Sequence, residues 1–124
     1  MSDRLSPERE AEIADALDRA ADHIDTVGWL QGDLYDDYAQ HGKPLAECRV
    51  CAMGALNMAL HGTPMFPLNL QPDELTAHDV AALVEQRIAG SELADWNDSR
   101  GRTQAEVTAL LRETAADLRN GGAS

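Results

Sequence analysis

The chain predicts an all-α fold: a single-domain bundle of about four main helices, with a proline-rich apolar loop between the second and the third. Three observations carry that expectation. Apolar residues recur at three- and four-residue spacing in four segments, the period of a helix with one buried face. Aromatics supply 4% of residues against 44% hydrophobic overall, which leaves the core to Ala, Leu, Val, Ile and Met and favours helix over sheet. No segment reads as a convincing strand. A length of 124 residues suits one domain by the usual span of roughly 100–200. It is also enough to bury a core without disulfides or a structural metal. The domain is expected over 1–124, with its core over about 6–119 and a frayed tail over 120–124.

The first helix opens at Ser6-Pro7-Glu8, with Ser6 as cap, Pro7 at the first helical position and acids in the first turn. Ile13, Leu17, Ala20 or Ala21, Ile24 and Val27 then form one stripe, and Gly28 stops it. Trp29-Leu30-Gln31-Gly32 follows as a turn. Leu34, Tyr35 and Tyr38 are compatible with a short helical turn, which His41-Gly42-Lys43-Pro44 breaks. From about Glu47 to Leu60 the chain is apolar nearly all round, the mark of a buried central helix, ended by His61-Gly62.

Between Thr63 and Pro72, three prolines rule out regular helix or a central strand. Met65, Phe66, Leu68 and Leu70 make this link apolar, so it reads as a lid over the core or, more sharply, as a partner-binding patch. A third helix runs from about Thr76 to Ile88 on Val80, Leu83, Val84 and Ile88, and Gly90 ends it. The last runs from about Gln104 to Leu118 on Val107, Leu110, Leu111, Ala115 and Leu118. Its start is fixed by a capping box, in which Thr103 accepts from the Glu106 amide and Glu106 reaches back to the Thr103 amide.

Charge narrows the partners. The net is −12, and residues 1–40 hold 11 acids against 3 arginines. Such a field repels phosphate backbones and anionic membranes, so direct nucleic-acid and membrane binding are not expected. A protein partner is expected instead, and self-association into a homodimer stays open. The first twenty residues lack an apolar core of a signal peptide, and no run approaches the ~18 apolar residues of a spanning helix. A cytoplasmic location is expected, with Cys48 and Cys51 reduced.

Three constellations offer chemistry. Cys48-Arg49-Val50-Cys51 has redox-pair spacing, but the βαβ pattern that usually accompanies it is missing. A zinc site would need Cys48 and Cys51 with His41 and His61, a sparse ligand set. A Cys-dependent hydrolase or transferase would use Cys51 as nucleophile, His61 or His78 as base, Asn97 or Asp98 to orient it, and Gln31 as an oxyanion donor. His61 lies ten residues beyond Cys51 on one helix, about 15 Å away at 1.5 Å per residue. No metal and no cofactor is therefore expected, and Cys51 is expected buried and inert, with Cys48 the more readily labelled thiol.

Trp96-Asn97-Asp98 is read first as a clamp. Trp96 would plug the bundle near Trp29 or the central helix, Asn97 and Asp98 would bond the Gly101 turn, and Arg100 and Arg102 would pair with the acidic first helix. A recognition surface of Gln31, Trp96, Asn97, Asp98, Arg102 and Phe66 comes second. A small-ligand pocket near Trp29, Trp96 and Asn97 is a further alternative.

Taken in order, Trp29-Leu30-Gln31-Gly32, Cys51-Ala52-Met53-Gly54-Ala55-Leu56, and Trp96-Asn97-Asp98 with Arg102-Thr103 and Glu106-Val107 resemble a family of small proteins of unknown function. That family occurs in high-GC Gram-positive bacteria and their phages. The resemblance spans roughly residues 8 to 118 and implies one compact domain, with no activity attached. Cys51 belongs to its pattern and Cys48 does not. The expected role is that of a small accessory or regulatory interaction protein.

Overall fold

The computed structural model describes residues 6–36 and 43–120. Helix α1 (Pro7–Val27) begins as the sequence predicts, with the Arg9 amide donating to Ser6 Oγ at 3.1 Å. Its apolar stripe is buried from Ile13 to Ile24. Helix α5 (Gln104–Arg119) lies along α1, and this pair of first and last helices is the largest contact between elements. All five apolar residues expected on the α5 stripe are buried. Arginines of α5 bridge the seam to acids of α1: Arg112 reaches Asp22 and Asp25 at 2.9 and 2.8 Å, and Arg119 reaches Asp15 and Asp18. Among the described residues, the cations that reach α1 from another element are these two. Arg102, expected there, pairs with Glu106 at 3.7 Å instead.

The capping box at Thr103 is complete. Its Oγ1 accepts from the Glu106 amide at 3.2 Å, and Glu106 Oε1 accepts from the Thr103 amide at 2.9 Å. A second box starts helix α3 (Ala77–Glu85), with Thr76 and Asp79 in the same roles. A 3₁₀ turn, Gln86–Ile88, extends α3 to the expected end.

The central helix departs from expectation. Helix α2 spans Ala52–His61, starting five residues later than the apolar run suggests. The reason is where the backbone before it sends its hydrogen bonds. Val50 donates to the Gly28 carbonyl, Cys51 donates to the Leu34 carbonyl, and Leu30 and Asp36 donate to the Val50 and Arg49 carbonyls. Residues 48–51 are thus extended and woven between two passes of the chain. Among the described residues there is no strand, only two isolated bridges, from Val50 to Trp29 and to Tyr35. Leu34 and Tyr35 belong to this extended pass and not to a helical turn. Tyr38, His41 and Gly42 lie outside the described residues, as do tail residues 121–124; Asn120 closes α5 by donating to Ala116 and Asp117.

Two glycines make the weave possible. Gly28 leaves α1 at a φ of 106°, a conformation that L side chains rarely adopt. Gly54 lets Leu34 cross the first turn of α2: a Cβ there would stand 2.1 Å from the Leu34 carbonyl oxygen.

A fifth helix, α4 (Leu93–Asn97), occupies what the sequence presents as a turn. The proline-rich loop covers the core only in part. Pro64 is buried, whereas Met65, Phe66 and Leu68 are exposed, Leu68 at 92%.

Candidate functional site

The three motifs meet at one side chain. Asn97, at the end of α4, is fully buried, and its amide makes four hydrogen bonds. Oδ1 accepts from the Trp29 indole at 2.8 Å and from the Ala52 amide at 3.0 Å. Nδ2 donates to the Leu30 carbonyl at 3.1 Å and to Asp98 Oδ1 at 2.9 Å. Both amide hydrogens and both carbonyl lone pairs are used, the full capacity of the group. One side chain thus supplies an acceptor to the first free amide of α2 and ties α4 to the segment after α1.

Its neighbours complete the joint. Gln31 donates to the Asn97 and Ser99 carbonyls at 3.0 and 2.9 Å, closing the end of α4. Asp98 Oδ1 accepts from the Gly32 amide at 2.9 Å. Asn97 and Asp98 therefore organise residues 30–32 and α2, not the Gly101 turn. Trp96 is half-buried and sits at the rim of the core. The Arg102 guanidinium lies 3.8 Å over its ring, and Arg102 Nε donates to the Trp96 carbonyl at 2.9 Å. The indole that enters the joint is Trp29, which composition alone did not separate from Trp96.

Beside this joint opens a cleft of about 470 Å³. It is lined by Leu34, by Cys51 at the cap and Met53 of α2, by Phe66 of the proline loop and by His78 of α3. Glu85 of α3, Glu92, Ala94 and Asp98 at and around α4, and Gly32 and Asp33 complete the lining. Four acidic residues thus share the cleft with apolar side chains. Glu85 accepts from the Leu93 amide at 2.7 Å, an ordering bond for the start of α4. Asp33 and Glu92 accept no hydrogen bond among the described residues. The sequence gives no sign of this gathering, because its acids come from three segments with no shared spacing.

Cys51 is 6% exposed, and its sulfur accepts from the Gly54 amide at 3.4 Å. Burial pushes its thiol above the ordinary value, helped by the neighbouring Asp98 charge. Cys48 is fully buried, with its thiol donating to the Pro44 carbonyl at 3.5 Å. The expectation that Cys48 is the accessible thiol is thereby reversed, since Cys51 is the one that reaches a cleft.

The residues proposed for a nucleophilic triad are not assembled as one. His61 ends α2, at the opposite end from Cys51, with Nδ1 3.8 Å from Glu74. His78 shares the cleft, but its ring is stacked on Phe66 with centroids 5.0 Å apart, and no hydrogen bond joins it to Cys51 among the described residues. Asn97 has no capacity left to orient a histidine, and both hydrogens of the Gln31 amide are committed. The separation of His61 from Cys51 also divides the zinc ligand set, whose fourth member, His41, lies outside the described residues. Among the described residues no group of three or more His, Cys, Asp or Glu is placed to hold a metal ion. None of the described helices is long and apolar enough to cross a membrane.

No curated protein and no solved structure is a match for the chain. A family model does match, over residues 8–117, which takes in all three motifs and all of the helices but the first residue of α1 and the last two of α5. The chain whose indole, glutamine and asparagine meet in this joint belongs to the family of unknown function DUF6197.

Proposed function

We propose that the protein is a cytoplasmic interaction module, an accessory or regulatory protein of bacterial or phage origin, and that it works through the cleft beside Asn97. The observation that carries the reading is the pairing of apolar side chains in the cleft with an exposed apolar loop. Leu34, Met53 and Phe66 line the cleft, and Met65 and Leu68, close to Phe66 in the chain, are exposed. Contiguous apolar surface rimmed by charge is the ordinary character of a protein-binding site. Two unpaired, buried thiols agree with a reducing compartment. The net charge of −12 weighs against nucleic acid and anionic lipid as the partner.

The runner-up is thiol chemistry at Cys51, favoured by the position of its sulfur in the cleft. A nucleophilic cysteine needs a lowered thiol pKa and a base in reach. Burial moves Cys51 the other way, so binding is the better-supported role. A small-ligand site fits the same cleft more readily than the space around Trp29 and Trp96, where the polar groups are already bonded to one another.

The test is affinity capture in the source organism with three baits: the native protein, Ala94→Arg and Ala109→Arg. Ala94 lines the cleft, and Ala109 is exposed on α5. The expected result is a protein captured by the native bait and Ala109→Arg but lost with Ala94→Arg at unchanged melting temperature. Equal capture by all three baits, or capture by none, would overturn the reading.

A further inference from the structure

We infer that the occupant of the cleft is a basic, apolar-anchored segment of a partner protein. Such a segment sets a Leu-, Met- or Phe-class side chain against Leu34, Met53 and Phe66, and its lysine or arginine side chains beside Asp33, Glu85, Glu92 and Asp98. This deepens the interaction reading above and rests on it.

The charge argument turns on how the protein spends its own cations. Arg112 and Arg119 bind α1, Arg87 binds Glu113 and Asp117, Arg49 binds Asp36, Arg9 binds Glu12 and Arg102 binds Glu106. None of these partners lines the cleft. Its four acidic residues have no arginine or lysine partner among the described residues, and they share the cleft with the apolar side chains of Leu34, Met53 and Phe66. Low-dielectric walls around like charges focus their field, which draws in and orients an oppositely charged segment.

Acceptor capacity points the same way. Glu85 engages one oxygen, through the Leu93 amide, and Asp98 engages Oδ1, through Gly32 and Asn97. Each keeps a second oxygen, and Asp33 and Glu92 keep both. A carboxylate accepts about two bonds per oxygen, so an entering ammonium or guanidinium finds several acceptors already held in place. The apolar half of the occupant follows from Phe66 and the exposed Met65 and Leu68, which a purely ionic ligand would leave in water. A second copy of this chain fits poorly, because each copy brings a net charge of −12.

Selection of random short peptides on the immobilised protein tests this. The expected winners carry net positive charge and at least one large apolar residue, and they compete with one another. They should bind the Asp33→Lys/Glu92→Lys protein at least about tenfold more weakly, a loss of about 1.4 kcal/mol. Ala94→Arg should abolish their binding, Ala109→Arg should leave it intact, and affinity should fall with added salt. Both acidic side chains are exposed and make no hydrogen bond or ion pair among the described residues, and melting curves check that the variant folds. Neutral or acidic winners, or winners indifferent to the charge reversal, would overturn the inference. So would a dimer in sedimentation that Ala94→Arg dissociates, or a cleft that takes spermine and selects no peptide. If cellular capture still depends on Ala94 while no basic peptide is selected, the occupant is wrong and the interaction reading stands; if capture ignores Ala94, both fall.

Discussion

Truncating Asn97 to Ala strips partners from the Trp29 indole, the Ala52 amide and the Leu30 carbonyl at once. Each buried group left unmet costs about 1–3 kcal/mol, and relaxation and water recover part of the sum. Asn97→Ala is therefore expected to cost about 3 kcal/mol in urea denaturation. Trp96→Ala should cost less, because its ring is half-buried and shared with Arg102. This inverts the order that residue size suggests. The importance of the Trp-Asn-Asp block was legible in the sequence, but its internal ranking was not: a large aromatic advertises burial, whereas the partners of an asparagine some 66 to 68 positions away leave no local trace. Gly54→Ala should be at least as damaging, because the clash is with backbone that has no rotamer to change. Of the two thiols, Cys51 should react first with a labelling reagent, slowly at neutral pH and faster as its raised pKa is approached, with Cys48 protected until the fold opens.

The helices that read most clearly were those whose ends are written locally. Ser6-Pro7 and Thr103…Glu106 name their own starts, and α1 and α5 begin where those residues say. Thr103→Ala should cost about 1 kcal/mol and raise amide exchange in the first turn of α5 before the rest of the helix. For α2 the apolar run overshot, since apolarity reports burial and not helix, and the backbone of 48–51 is claimed by Gly28, Leu30, Leu34 and Asp36. Helix α4 stayed hidden because five residues carry too few repeats of the helical period to be counted. On α1, burial holds His23 below its ordinary value of 6.5, with Nε2 enclosed and unbonded. A neutral imidazole favoured by the fold contributes stability that is full above the unfolded value and declines as pH falls through it toward the folded one. Melting temperature should therefore drop as pH is lowered from 7 through 6, and His23→Leu should flatten that limb.

At the scale of the molecule, repulsion among uncompensated acids opposes the packed core. The arginine bridges across the α1–α5 seam are largely exposed, and such pairs are each worth about 0–1 kcal/mol. Net repulsion should outweigh them, so added sodium chloride is expected to raise the melting temperature, read by calorimetry at neutral pH. Fold class was the easiest property to foresee, because composition and period act over the whole chain. The cleft was the hardest, because it exists only where distant segments are brought side by side. That same remoteness bears on how the protein is made. The amide that opens α2 waits for an asparagine encoded 45 positions later, and the buried face of α1 waits for α5. During synthesis, the first three-quarters of the chain must therefore hold the unpaired Ala52 amide, and the part of the α1 face that α5 covers, without those partners. A ribosome stalled before α5 would present an open, aggregation-prone chain, and the native state can close only as a single late event.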